Sequence, residues 1–251
     1  MSKPTLAIAG LTACFGCQLT LLNCEEELLT LAERFEFTYF PMGSSRHNIA
    51  SEFSAALVEG AVSTPADLET LVKLRSRSKF LIAFGTCALW GGVAAMNNHL
   101  PRTSLAEVVY GKDAVPDITF NPGPLDRFVT VDFAIIGCPP EKGELLATLA
   151  ALLHDTLPVF PQYPVCTECR NRENVCLLIE KGEPCLGPIT QAGCNARCPA
   201  VSIKCEGCRG PVTEANVASE IDVLMEKGIS RDELVSRMRR FYPEWDYGQR
   251  S

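Results

Sequence analysis

A chain of 251 residues can bury one sizeable hydrophobic core and carry a smaller appendage. Its composition, 47% hydrophobic and 21% charged, is that of a globular protein, and a net charge of −7 leaves no basic surface for nucleic acid or an anionic membrane. No apolar run reaches the roughly 20 residues that span a bilayer, and Met1-Ser2-Lys3-Pro4 lacks the charged-then-apolar layout of a signal peptide, so a cytoplasmic location is expected.

In chain order, residues 5–11 (TLAIAGL) read as a buried strand and residues 18–34 as a helix rich in Leu and Glu. Residues 35–40 and 55–59 are strand-like, 65–75 helical, and 80–84 another apolar run. A long loop-rich stretch leads to a buried strand at 133–136 and a helix over 142–153. Short all-apolar strands alternating with helices imply a parallel sheet covered on both faces. The expected fold class is α/β, a flavodoxin-like doubly wound sheet, occupying residues 1–157. From 158 onward Pro, Gly and Cys come thickly, and no segment up to 211 has the apolar periodicity to build a core. Residues 158–251 are therefore expected to form a cysteine-rich domain of little regular structure, closed by helices over 220–227 and 231–240. Ser230, with Glu233 three residues on, suits the N-cap of the last one.

The thirteen cysteines are anomalous for a reducing cytosol, where metal ligation is the better reading than a disulfide framework. Cys14 and Cys17 lie in the loop after the first strand, Cys87 follows the 80–84 strand, and Cys138 follows the 133–136 strand. Loops after parallel strands all emerge at the carboxyl edge of the sheet, where open α/β folds bind ligands. The glycines beside these cysteines let backbone approach a bulky object closely, and four converging thiolates suit a 4Fe–4S cubane. Cys24, with no partner at ligand spacing, reads as a packed thiol on the first helix. Glu59, at a strand end near this crevice, reads as an ordinary charge at a loop start. Trp90 reads as packing, and His47, His99 and His154 as surface or structural residues.

Eight more cysteines fall within 43 residues: Cys166, Cys169, Cys176, Cys185, Cys194, Cys198, Cys205 and Cys208. Metal ligation can supply the folding free energy that so small a core cannot. Sequence order divides them into Cys166, Cys169, Cys176 and Cys185 for one site and Cys194, Cys198, Cys205 and Cys208 for the other, although ferredoxin-type runs can exchange a final ligand. Zinc is the rival, since the Cys-x-x-Cys pairs would also serve a zinc ribbon. The segment Cys194-Asn-Ala-Arg-Cys198-Pro199 echoes the end of ferredoxin patterns and favours iron.

Together, Cys14-Phe-Gly-Cys17-Gln, Gly85-Thr-Cys87 with Gly91-Gly92, and Gly137-Cys138-Pro-Pro resemble the proximal-cluster motifs of nickel–iron hydrogenase small subunits. The 185–199 and 205–210 segments are similar to the cytosolic branch of that family. The likeness is nearest to the delta subunit of the NADP-linked sulfhydrogenase type, with the methyl-viologen (heterodisulfide-reductase-linked) type second. The resemblance implies three 4Fe–4S clusters: a proximal one on Cys14, Cys17, Cys87 and Cys138, a medial one on Cys194, Cys198, Cys205 and Cys208, and a distal one on Cys166, Cys169, Cys176 and Cys185. It also implies a hydrogenase complex in which H2 is activated on a separate large subunit. Electrons would pass on to a diaphorase-like flavin subunit or a ferredoxin-like iron–sulfur partner, with no catalytic residue on this chain. A single-cluster complex I-like 20 kDa-type subunit is the second reading, weakened by the missing adjacent cysteine pair and by the eight-cysteine tail. A zinc-stapled interaction module is the third. Iron and acid-labile sulfide analysis separates these: a brown protein rich in both is expected, and a colourless zinc protein would defeat the iron reading.

Overall fold

In the computed structural model, residues 3–45, 47–111, 120–245 and 247 are described, and the chain divides into two units, Met1–Pro158 and Val159–Ser251. The first unit is built on five strands: β1 (Thr5–Gly10), β2 (Glu36–Tyr39), β3 (Phe53–Glu59), β4 (Ser78–Phe84) and β5 (Phe133–Ile135). They lie in the order β2-β1-β3-β4-β5, every neighbouring pair parallel. This is the flavodoxin-like doubly wound arrangement, and it follows from strands apolar on both sides.

Alternate residues of each strand enter opposite cores. Leu6, Ile8, Leu57, Ile82 and Phe84 pack on one face against Leu21 of α1 (Gly16–Leu22), Leu31 of α2 (Glu25–Arg34) and Leu145 and Leu149 of α7 (Lys142–Leu152). Ala7, Ala9, Ala56, Val58, Leu81 and Ala83 pack on the other against Leu71 and Leu74 of α3 (Pro65–Arg77). Full burial of each large aliphatic side chain contributes roughly 1.5–3 kcal/mol, so the two cores fix which side of every strand faces which helix layer.

The helix expected over 18–34 is two helices. Cys24 stands at the junction as the N-cap of α2, which opens on Glu25, Glu26 and Glu27. Three carboxylates at an N-terminus complement the helix dipole and favour a fresh start there over a continuous helix. The stretch between β4 and β5, expected as loop, contains α4 (Thr86–Trp90), α5 (Gly92–Ala95) and α6 (Arg102–Tyr110). The first two are single turns separated by Gly91 at φ 79, too short to show a periodic signature. Residues 112–119 of that stretch lie outside the described residues.

The second unit carries α8 (Val165–Asn171), α9 (Leu177–Lys181) and α10 (Arg197–Ala200), none longer than two turns, then α11 (Val217–Glu226) and α12 (Arg231–Arg239). Ser230 accepts the Glu233 N–H at the start of α12, and Asn216 caps α11 in the same way. Its apolar core is small and leans on the tail: Ile221, Leu224, Leu234 and Met238 are fully buried.

The loop after β1 is pinned from α3. Thr64 and Asp67 form a reciprocal capping box with Pro65 in the first turn, and Asp67 also accepts from Ser63 N and from the Thr12 hydroxyl. A lost N-cap typically costs about 1 kcal/mol. Thr64→Ala is therefore expected to lower unfolding stability by about that amount in urea, while Thr64→Ser stays close to wild type.

Candidate metal centres

The carboxyl edge of the sheet gathers the first four thiols. Cys14 and Cys17 flank the start of α1, Cys87 lies in α4 just past β4, and Cys138 follows β5. Cys17 is buried and interacts electrostatically with Cys87 and Cys138, and Cys87 does so with Cys14, so all four share one crevice. Cys14 is exposed at its mouth. Two glycines make the room. A Cβ at Gly85, where φ is 92, would stand 2.3 Å from Cys17 Sγ, and one at Gly92 would stand 2.9 Å from Cys87 Sγ.

Glu59 ends β3 in the middle of this crevice, 1% exposed. Its carboxylate accepts the N–H of Cys17 at 3.1 Å, the N–H of Gln18 at 3.2 Å and the Gln18 side-chain amide at 3.1 Å. It satisfies N–H groups at the start of α1 that have no partner within the helix, and so sets the orientation of the Cys17 ligand. The sequence reading of Glu59 as an ordinary loop-start charge is thus corrected. The signal lay in a carboxylate closing the apolar, buried run 55–58 of that strand.

In the second unit, Cys166, Cys169, Cys176 and Cys185 line one cavity of about 110 Å³ with Leu177, Leu178 and Gly187. A Cβ at Gly187 would come within 3.3 Å of Cys166 Sγ and 3.6 Å of Cys185 Sγ. Asn174 donates its side-chain amide to Cys169 Sγ at 3.6 Å. Cys205 interacts electrostatically with Cys208 and with Cys185, and its N–H donates to Cys185 Sγ at 3.3 Å. Cys194 lies on a turn held by Glu168 and Arg209, and Cys198 follows it in α10, whose N-cap is Ala196. Their grouping with Cys205 and Cys208 rests on sequence order and on the family resemblance.

Burial pushes the Cys17 thiol far above its ordinary value, Glu59 adding to the effect, and raises Cys205 well above it too. Cys166 is pushed up to about 12, by burial first and then by Cys185, Cys169 and Cys176. Thiols so placed remain protonated until cations displace the protons, because the thiolate is the ligating form and buried negative charge is costly. Among the described residues, no three His, Cys, Asp or Glu side chains converge closely enough to hold a single ion. Four thiols spread around a cavity suit an object with several metal corners, each taking one sulfur, better than one tetrahedral zinc. The sulfur-only donor set, the space and the glycine cradle all fit a cubane.

Cys24 is fully buried and donates to the Thr20 carbonyl at 3.2 Å, away from any cysteine group. His47, His99 and His154 are exposed.

Residues 14–152 match the family described as the NADH ubiquinone oxidoreductase 20 Kd subunit. The chain is 42% identical to the sulfhydrogenase 2 subunit delta of Pyrococcus furiosus, over 96% of this chain and 99% of that one. It is 30% identical to one of the subunits of the F420-non-reducing hydrogenase (vhu) of Methanocaldococcus jannaschii, over 92% of each chain. Among solved structures it resembles a chain of an NAD+-reducing [NiFe]-hydrogenase in the H2-reduced state, with a TM-score of 0.59 and 30% identity, covering 64% of this chain and 96% of that one. It shares the fold of a chain of the Ni-Fe-Se hydrogenase of Desulfomicrobium baculatum, with a TM-score of 0.57 and 18% identity, over 85% and 96%.

Removing the Glu59 carboxylate leaves two backbone N–H groups buried without a partner, each costing about 1–3 kcal/mol. Glu59→Ala is expected to lower both stability and iron content, with Glu59→Gln retaining part of each. Iron per chain and the unfolding midpoint, measured on the same preparations, check this. Unchanged iron in Glu59→Ala would remove Glu59 from the site.

Proposed function

Because this chain belongs to the family of the NADH ubiquinone oxidoreductase 20 Kd subunit, and within it to the small (delta-type) subunits of nickel–iron hydrogenases, we propose that it conducts electrons through three 4Fe–4S clusters. The observation that carries the reading is the crevice at the carboxyl edge of the sheet, where Cys14, Cys17, Cys87 and Cys138 meet around glycine-lined space. These four would hold the proximal cluster. Cys166, Cys169, Cys176 and Cys185 would hold the distal one, and Cys194, Cys198, Cys205 and Cys208 the medial one. Bound there, the clusters supply one-electron redox chemistry at potentials set by net charge, hydrogen bonds to sulfur and burial.

The chain's own residues do the rest. Glu59 orients the Cys17 turn, the Asn174 amide and the Cys205 N–H donate to ligand sulfurs, and Leu177 and Leu178 wall the distal cavity against water. Donors aimed at sulfur stabilise the more negative, reduced state and raise a potential, while an all-cysteine ligand set lowers it. Beside Cys14 and Cys87, the half-exposed Phe15, Leu19 and Val93 form the surface assigned to the hydrogen-activating large subunit. The electron acceptor beyond the distal site is assigned as a diaphorase-like flavin subunit or a ferredoxin-like protein. No described helix is long and apolar enough to cross a membrane, and the complex is assigned to the cytoplasm. The domain boundary is assigned at residues 157/158.

The test is iron counting by substitution in the complex. Wild type is expected to carry about twelve irons per chain. Cys205→Ala is expected to lose about four of them and one EPR signal, leaving the proximal signal in place. Cys24→Ser should keep them all. If iron stays near four per chain in both wild type and Cys205→Ala, the three-cluster reading is wrong and a single-cluster protein replaces it.

A further inference from the structure

Glu168 stands on α8 between two ligand candidates, Cys166 and Cys169, yet its carboxylate turns to a loop 25 residues further along the chain. One oxygen accepts the Gly193 N–H at 2.8 Å and the other accepts the Ala196 N–H at 3.1 Å. The backbone it grips is unusual. Gly193 has φ 121, Asn195 φ 56 and Ala196 φ 46, with Cys194 between them. Asparagine tolerates the left-handed region through its short polar side chain, but Ala196 has a Cβ and nothing to offset it, so something outside the loop must hold this shape. The turn aims the N–H groups of Gly193 and Ala196, three residues apart, at one anion, and that anion is a side chain of the same protein.

The other side of the loop is held by the opposite charge. Arg209, 2% exposed, donates its Nε–H to the carbonyls of Gln191 at 3.2 Å and Ala192 at 2.9 Å. The turn bearing Cys194 and leading into α10 thus has two N–H groups, of Gly193 and Ala196, tied to a residue beside Cys166 and Cys169. Its carbonyls are tied to the neighbour of Cys208.

We propose that Glu168 is a positioning residue for electron transfer: its carboxylate locks the 193–196 turn, in which Asn195 and Ala196 are left-handed, and so couples the medial ligand Cys194, and through the N-cap Ala196 the α10 helix that carries Cys198, to the distal ligands on α8. This rests on the cluster assignment given above. A glutamine at 168 is the same size, but its single carbonyl oxygen can replace only one carboxylate oxygen, and its NH2 then faces the other N–H. Loss of the negative charge beside the site also favours the reduced cluster and raises its potential.

The test uses the complex with its large subunit, carrying Glu168→Gln or Glu168→Ala, and reads amide hydrogen exchange at residues 193–198 alongside an EPR redox titration. In Glu168→Ala, exchange at Gly193 and Ala196 is expected to rise by at least about tenfold, with loss of about four irons. Glu168→Gln is expected to keep its iron, to show faster exchange at one of the two amides, and to shift one C-terminal cluster signal to higher potential. The proximal signal stays unchanged in both. Wild-type exchange and wild-type potentials in both variants would overturn the proposal. A wild-type complex with only about four irons per chain would instead overturn the cluster assignment, and the exchange arm would still decide whether Glu168 locks the loop.

Discussion

A buried thiolate needs a cation beside it. This constraint organises the molecule, because the fold gathers sulfur around spaces that no protein side chain fills. Cys17, Cys185 and Cys205 are each less than a tenth exposed, and burial is the largest cause raising all three thiols. Filling the same spaces with apolar side chains would give a more ordinary core. The glycines show that the space is maintained: at Gly85 and Gly92 even a methyl group would collide with a cysteine sulfur.

The first unit meets the constraint with a scaffold that is stable for other reasons. Its two helix layers and its apolar strands need no metal to explain them, and the cysteines come from loops at one edge of a sheet already fixed in register. Glu59 shows how finely the edge is set. A carboxylate 1% exposed is costly unless its oxygens are occupied, and its oxygens take N–H groups from the helix start that presents Cys17. The polar group that would weaken a strand end elsewhere becomes the anchor of a ligand turn.

The fold class was legible because all-apolar strands alternating with helices admit few other arrangements, and the observed strand order obeys that reading. From the fold class, the loops bearing Cys14, Cys17, Cys87 and Cys138 had to emerge at one edge. What stayed illegible depends on long-range partners. Glu59 meets Cys17 across 42 residues and Glu168 meets Gly193 across 25, and neither carboxylate carries a local mark that names its partner. The break at Cys24 was missed because Leu and Glu periodicity runs straight through it. Local helix propensity does not register a capping geometry set by three acids in a row.

The second unit inverts the logic of the first. Before its tail helices, its longest regular element is seven residues, too short to be stable alone. Beside isolated bridges such as Pro164 with Gln191 and Thr190 with Pro211, backbone groups at its cysteine loops bond to sulfur and to single charged side chains: Cys205 N–H to Cys185 Sγ, Gly193 and Ala196 N–H to Glu168, and the carbonyls of residues 191 and 192 to Arg209. In such a structure a ligand residue and a structural residue are not separate categories. A metal bound there is worth its ligation energy to folding as well as its electrons to function. The charged side chains that shape the loops are the same ones close enough to bias a potential. In the first unit those two duties fall on different residues, the core and the edge, except at Glu59, which serves both. In the second, they coincide.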